Sequence, residues 1–93
     1  MPYRPIYHPD VQSVDIPKIN QNIQRRIERA IEKRLTTHPE SYGEPLEKNL
    51  AGYWKLRVGD YRIVFNVFGE EIIIYGIIDR KDVYREIKKR IPR

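Results

Sequence analysis

The stretch that most constrains this chain is Tyr53 to Asn66, YWKLRVGDYRIVFN. Apolar and polar residues alternate up to Gly59-Asp60 and alternate again beyond it, the pattern of two short strands joined by a tight turn. A two-residue loop fixes the register: Val58 faces Tyr61, Arg57 faces Arg62 and Lys55 faces Val64. Trp54, Leu56, Val58, Tyr61, Ile63 and Phe65 then share one apolar face, and Lys55, Arg57 and Arg62 share the other. Like charges directly opposed destabilise a sheet. The facing arginines therefore imply either an anion between them or two guanidinium groups turned out into water.

An apolar hairpin face needs a cover, and Pro17 to Thr36 supplies one. Ile19, Ile23, Ile27, Ala30, Ile31 and Leu35 recur at helical spacing, with Arg25, Arg26, Glu28, Arg29, Glu32 and Lys33 around the rest. Asp15 is the expected N-cap and Pro17 the first helical position. Before it, Arg4 to His8 predicts a strand confined to a sheet edge by Pro2, Pro5 and Pro9, followed by a loop or short helical turn over Val11 to Asp15. After it, Thr37 to Gly52 is a long connection holding Pro39, Gly43, Pro45 and Gly52, and it carries Glu44 and Glu47. Ile72 to Ile78 predicts a third antiparallel strand, apolar on both faces and so central or well covered, where Gly76 permits a twist or a close approach. From Arg80 to Ile91 the period becomes helical, with Val83, Ile87 and Ile91 in one stripe and Arg80, Tyr84 and Lys88 in a second, until Pro92. The expectation is one α+β domain over residues 1–93: a twisted antiparallel sheet covered on one face by the N-terminal helix, with a C-terminal helix.

Charge narrows the partners. Residues 1–79 balance, 11 Lys/Arg against 11 Asp/Glu, whereas residues 80–93 hold seven basic residues against Asp82 and Glu86, so the whole net charge of +5 lies there. Such an end suits nucleic acid or an acidic protein; a membrane surface is disfavoured because no large apolar face accompanies the charge. The chain has no cysteine, which fits a cytoplasmic location, and its two histidines, His8 and His38, have no ligand-spaced partner, so no metal and no cofactor are expected. The first ten residues lack the apolar core of a signal peptide, and the longest apolar run is too short to span a bilayer.

The residues that could carry chemistry converge on the basic hairpin face. Lys55, Arg57 and Arg62, with Arg80 and Tyr84 near the end of the third strand, are donors suited to a phosphodiester and to the extra negative charge of its transition state. RNA brings its own nucleophile, the 2′-hydroxyl, leaving the protein alignment, charge stabilisation and proton transfer. Lys55 and Glu44 are both candidate bases, and Tyr84 is placed to stack on a base or position the phosphate. Tyr53, which shares the Lys55 face, and Lys81, Arg85, Lys88 and Lys89 of the last helix are candidate RNA contacts. The same surface would also suit an acidic or amphipathic protein segment.

Three motifs in order carry a family resemblance: EPLEKNLAGYWKLRV, LRVGDYRIVF and DRKDVYR. The chain resembles the RelE/ParE toxin superfamily, and its Glu44-onward stretch resembles the YoeB branch. The resemblance implies a small RelE-like fold and a toxin that cuts mRNA in the ribosomal A site by 2′-hydroxyl attack, held by a cognate antitoxin. It makes mRNA and the ribosome partners and leaves a homodimer and a toxin–antitoxin hetero-oligomer both open. By position it assigns phosphate binding to Arg57 and Arg62, a base to Lys55 or Glu44, and functional contacts to Arg80 and Tyr84. Asp79, Glu47 and Tyr53 depart from the pattern: Asp79 stands where many relatives carry a basic residue. The alternatives are a ParE-like inhibitor of DNA gyrase and a non-catalytic module that binds an antitoxin or nucleic acid.

Overall fold

A computed structural model describes residues 3–47 and 50–91. The hairpin folds in the expected register: β3 (Trp54–Val58) and β4 (Tyr61–Phe68) pair Val58 with Tyr61, Arg57 with Arg62 and Lys55 with Val64. Gly59 supplies the left-handed backbone (φ 59°) that a two-residue turn needs to match the strand twist. A second such turn, at Gly69-Glu70, joins β4 to β5 (Glu71–Asp79). With β1 (Arg4–Tyr7) and the two-residue β2 (Glu44–Pro45), the sheet order is β1-β5-β4-β3-β2. β1 lies at an edge, as Pro5 requires, and is the one parallel strand among the described residues, paired with the first half of β5. β5, between β1 and β4, is buried on both faces, matching its unbroken apolar run.

One face is covered as the sequence predicts. Ile27, Ala30, Ile31 and Leu35 pack on Leu56, Val58, Ile63, Phe65, Ile74 and Ile77, with half-buried Trp54 beside them. The helix that does this is shorter than Pro17 to Thr36. Ile16–Lys18 form a separate 3-10 turn, Ile19 is extended, and α1 (Gln21–Ala30) starts anew, with a wide π-type turn carrying it through Leu35. The cap is Asn20, whose side chain accepts from the Asn22 N–H at 2.8 Å, and not Asp15. The Gln24 amide donates to the carbonyls of Ile16 (3.0 Å) and Ile19 (2.8 Å), satisfying the groups the break exposes.

The other face is partly covered too. The short helix α2 (Pro39–Tyr42) and β2 interrupt what the sequence presents as a long connection. α3 (Val83–Arg90) begins three residues later than Arg80. Its Val83 and Ile87, with Ile91, pack on Val64, Tyr75 and Ile78, and Leu46 and Leu50 close the cluster. The result is three layers, helix on sheet on helix.

Asp15 has a different task. A bulge makes Tyr75 an extra residue in β5, since Val64 pairs with Gly76 but Phe65 with Ile74. β1 has already ended there, so the β5 edge exposes its backbone. Asp15 accepts from the Ile77 N–H at 2.9 Å, and Arg90 donates to the Tyr75 carbonyl at 3.1 Å. The two side chains, each 5% exposed, also grip one another through a bidentate pair of 2.7 and 2.8 Å. Asp10 lies 3.6 Å from the Arg90 Nε, and the bond to Asp15 is the main reason the guanidinium's pKa lies above its ordinary value.

Candidate functional site

The sheet register sorts the predicted site residues into rows on the face opposite α1. Glu44 pairs directly with Lys55, and Lys55 with Val64, so a carboxylate and an ammonium stand on neighbouring strands at one level. Arg57 and Arg62 form the next row, two residues and about 6–7 Å along the strand. Lys55 is half-buried, and its Nζ lies 5.7 Å from the centre of the Tyr84 ring, within cation–π range. The Tyr84 hydroxyl accepts from the Glu47 N–H at 3.2 Å, tying the 44–47 loop to α3. Tyr53 packs edge-on against Tyr75 at 5.4 Å. Burial and then the Tyr53 neighbour push the Tyr75 hydroxyl's pKa up. Glu44, Tyr53, Lys55 and Tyr84 thus meet on one patch.

The two arginines do not behave alike. Arg62 turns one arm inward: its Nη1 donates to the carbonyls of Gly59 and Tyr61, both at 3.0 Å, and the residue is 9% exposed. It clips its own turn. Its Nε and Nη2 have no acceptor among the described residues and are not fully sealed from solvent. Arg57 is exposed at the sheet edge, because β2 ends at Glu44 and leaves the rest of β3 without a neighbour on that side. Of the two guanidinium groups, Arg57 is turned out into water and Arg62 is not.

Arg80 stands at the turn end of the face. Its N–H donates to the Asp60 carbonyl at 2.8 Å and its Nε lies 3.9 Å from the Asp60 carboxylate. Asp79 faces away from Arg62, since it pairs with Tyr61 on the α1 side of the sheet, and its carboxylate accepts from the Lys81 N–H at 2.9 Å. The unusual carboxylate is therefore a turn former on the far face.

The last helix is less free than its charge count implies. Arg85 pairs with Asp82 at 2.7 Å and lies 3.6 Å from Glu86, and Lys89 reaches Glu86 at 3.5 Å. Lys89, then Arg85 and Arg90, hold the Glu86 pKa below its ordinary value. Lys81 and Lys88 are exposed, with no carboxylate partner among the described residues. Sequence reasoning missed Arg90, which reads as one more tail cation.

The chain matches a family model described as the ParE toxin of type II toxin–antitoxin systems, parDE, over residues 3–84. Its fold is similar to a chain of the RelBE2 toxin–antitoxin complex from Mycobacterium tuberculosis, with TM-score 0.73 and 23% identity, covering 86% of this chain and 100% of that one. It is similar to the RelB–RelE antitoxin–toxin complex from Methanococcus jannaschii, with TM-score 0.67 and 24% identity, covering 87% and 96%. A YoeB/ParE toxin from Agrobacterium tumefaciens aligns with TM-score 0.60 and 15% identity over 82% and 96%. A search of curated proteins finds no match.

Proposed function

We propose that this chain, which belongs to the ParE toxin family of type II toxin–antitoxin systems, is an endoribonuclease that cuts ribosome-bound mRNA and is held inactive by a cognate antitoxin. The observation that carries this reading is the row of Glu44 and Lys55 in direct register, with the Tyr84 ring over the ammonium and Arg57 and Arg62 in the next row. A base removes the proton from the 2′-hydroxyl, the 2′-oxygen attacks phosphorus, and the 5′-oxygen leaves with a proton, giving a 2′,3′-cyclic phosphate. Arg57 and the Nε and Nη2 of Arg62 stabilise the charge that builds on the phosphate oxygens. Lys55 and Glu44 are the pair from which the base is drawn, and Tyr84 positions the strand.

The test is cleavage of mRNA on programmed ribosomes. Arg57→Ala, at an exposed position, is expected to lower the rate by about 100-fold or more, the loss typical of one transition-state donor. Arg62→Ala also removes the turn clip, so Arg62→Lys and a melting curve accompany it. Glu44→Gln and Lys55→Ala separate the two bases, because the true one takes with it a limb of the pH–rate profile.

The second reading, a ParE-like inhibitor of DNA gyrase, is favoured by the name of the matching model and by the use of Arg62 to hold its own turn. Intact mRNA together with blocked supercoiling would establish it in place of the first.

A further inference from the structure

A second basic surface lies outside the candidate site. Arg26, Arg29, Lys33 and Arg34 on the first long helix line a groove of about 480 Å³ with Arg57, Val58 and Gly59 of the hairpin. All five cations are exposed, none is ion-paired among the described residues, and no carboxylate lines the groove. Glu28 and Glu32 face the other flank of the helix, where they border a separate groove beside Tyr7. Charge is therefore segregated across one helix, acidic on one flank and basic on the other.

Two further features point to the ligand's chemistry. Arg26, Arg29 and Lys33 climb the helix at spacings of three and four residues, about 4.5 and 6 Å, a ladder that suits successive phosphates of one strand. Beside the ladder, the guanidinium of Arg34 lies 5.7 Å over the ring of Tyr42, which is 50% exposed. An exposed aromatic at the end of a cationic groove is a platform for a base. The apolar lining is only Ala30 and Val58, without the anchors that fill the centre of a protein interface. Four of the five cations are arginine, the residue suited to phosphate forks.

We propose that this groove binds the phosphate backbone of single-stranded RNA and leads it over Arg57 onto the candidate site, with Tyr42 stacking a base. Arg57 is shared between the two surfaces, and the nitrogens of Arg26 approach the β3–β4 turn, 3.9 Å from where a Gly59 Cβ would sit. The proposal rests on a polynucleotide substrate and adds its path.

The probe is a short single-stranded RNA with 2′-O-methyl sugars, which lacks the nucleophile, with binding read by fluorescence anisotropy across a salt series. Replacing Arg26, Arg29 and Lys33 by alanine is expected to flatten the slope of log affinity against log salt by about 2, a loss of about 100-fold at 0.1 M salt. Tyr42→Ala is expected to weaken binding by about 5-fold or more. Alanine at Arg4, Lys18 and Arg25, exposed cations that line neither the groove nor the candidate site, removes the same charge elsewhere and is expected to change affinity less than about 3-fold. The idea is overturned if wild type does not bind the probe, if the groove triple binds like wild type, or if the control triple loses as much. It is also overturned if an acidic peptide of equal charge binds as tightly as the RNA. Groove-dependent binding without mRNA cleavage on ribosomes would sink the nuclease reading alone; cleavage by a protein whose groove triple binds normally would sink the groove alone.

Discussion

At the scale of single residues, Asp15 and Arg90 show how a local signal can be right in kind and wrong in place. Asp15 two residues before a proline looks like a helix cap, and Arg90 looks like one of several basic residues in a terminal run. Their partners are fixed by a β5 bulge far away in sequence, and no neighbouring residue announces it. Arg57 and Arg62 were legible because a two-residue turn imposes register on its flanks. The destination of each guanidinium was not legible, since Arg57 depends on where β2 stops and Arg62 on carbonyls of its own turn. Asp15→Asn leaves Arg90 charged and buried with its main partner gone, and is expected to cost about 3–5 kcal/mol in urea unfolding. Replacing both residues, as Asp15→Leu with Arg90→Met, is expected to recover part of that loss. A single-variant cost below about 1 kcal/mol would contradict the pairing described.

At the scale of elements, the period-2 and helical patterns gave the strands, the covering helix and the last helix, because each rests on an apolar stripe that packing must bury. The break at Ile19-Asn20 escaped them, since the isoleucine stripe runs on through it and Ile19 is buried on either reading. Gly76 was legible as a close approach, and the approach is that of α3. A Cβ there would meet Ile78 Cδ1 at 2.7 Å and both Ile87 Cδ1 and Arg90 Nη1 at 3.0 Å. Gly76→Ala is expected to push α3 off the sheet and destabilise by about 1–3 kcal/mol, seen as a lower Tm. It is also expected to weaken cleavage, because Tyr84 sits on the same helix and faces Lys55.

At the scale of the whole molecule, the pairing of Asp15 with Arg90 joins residues 75 apart in sequence. Contacts of such separation are costly to close and form late, so their loss acts on the native state more than on the folding barrier. Asp15→Asn is expected to speed unfolding by about 100- to 1,000-fold while folding slows by less than about 3-fold, measured by stopped-flow chevrons. Net charge also divides differently from a count along the chain. The terminal excess is partly consumed by Asp15, Asp82 and Glu86, whereas the long helix keeps its basic flank unpaired among the described residues. Composition located the charge; only the fold decided which of it is available to a ligand.

The sheet's edges have a consequence of their own. Pro5 lies in the outer strand β1 and Pro45 in β2, and the open remainder of β3 borders a row of arginines. None of these invites another strand. A partner that extends a sheet reads mostly backbone, which every protein carries, and so tolerates imprecise matches. A partner denied that route must match side chains one against another. Under the proposed function, an inhibitor of this chain is then expected to recognise it through side chains, so that inhibitors of related toxins leave it untouched.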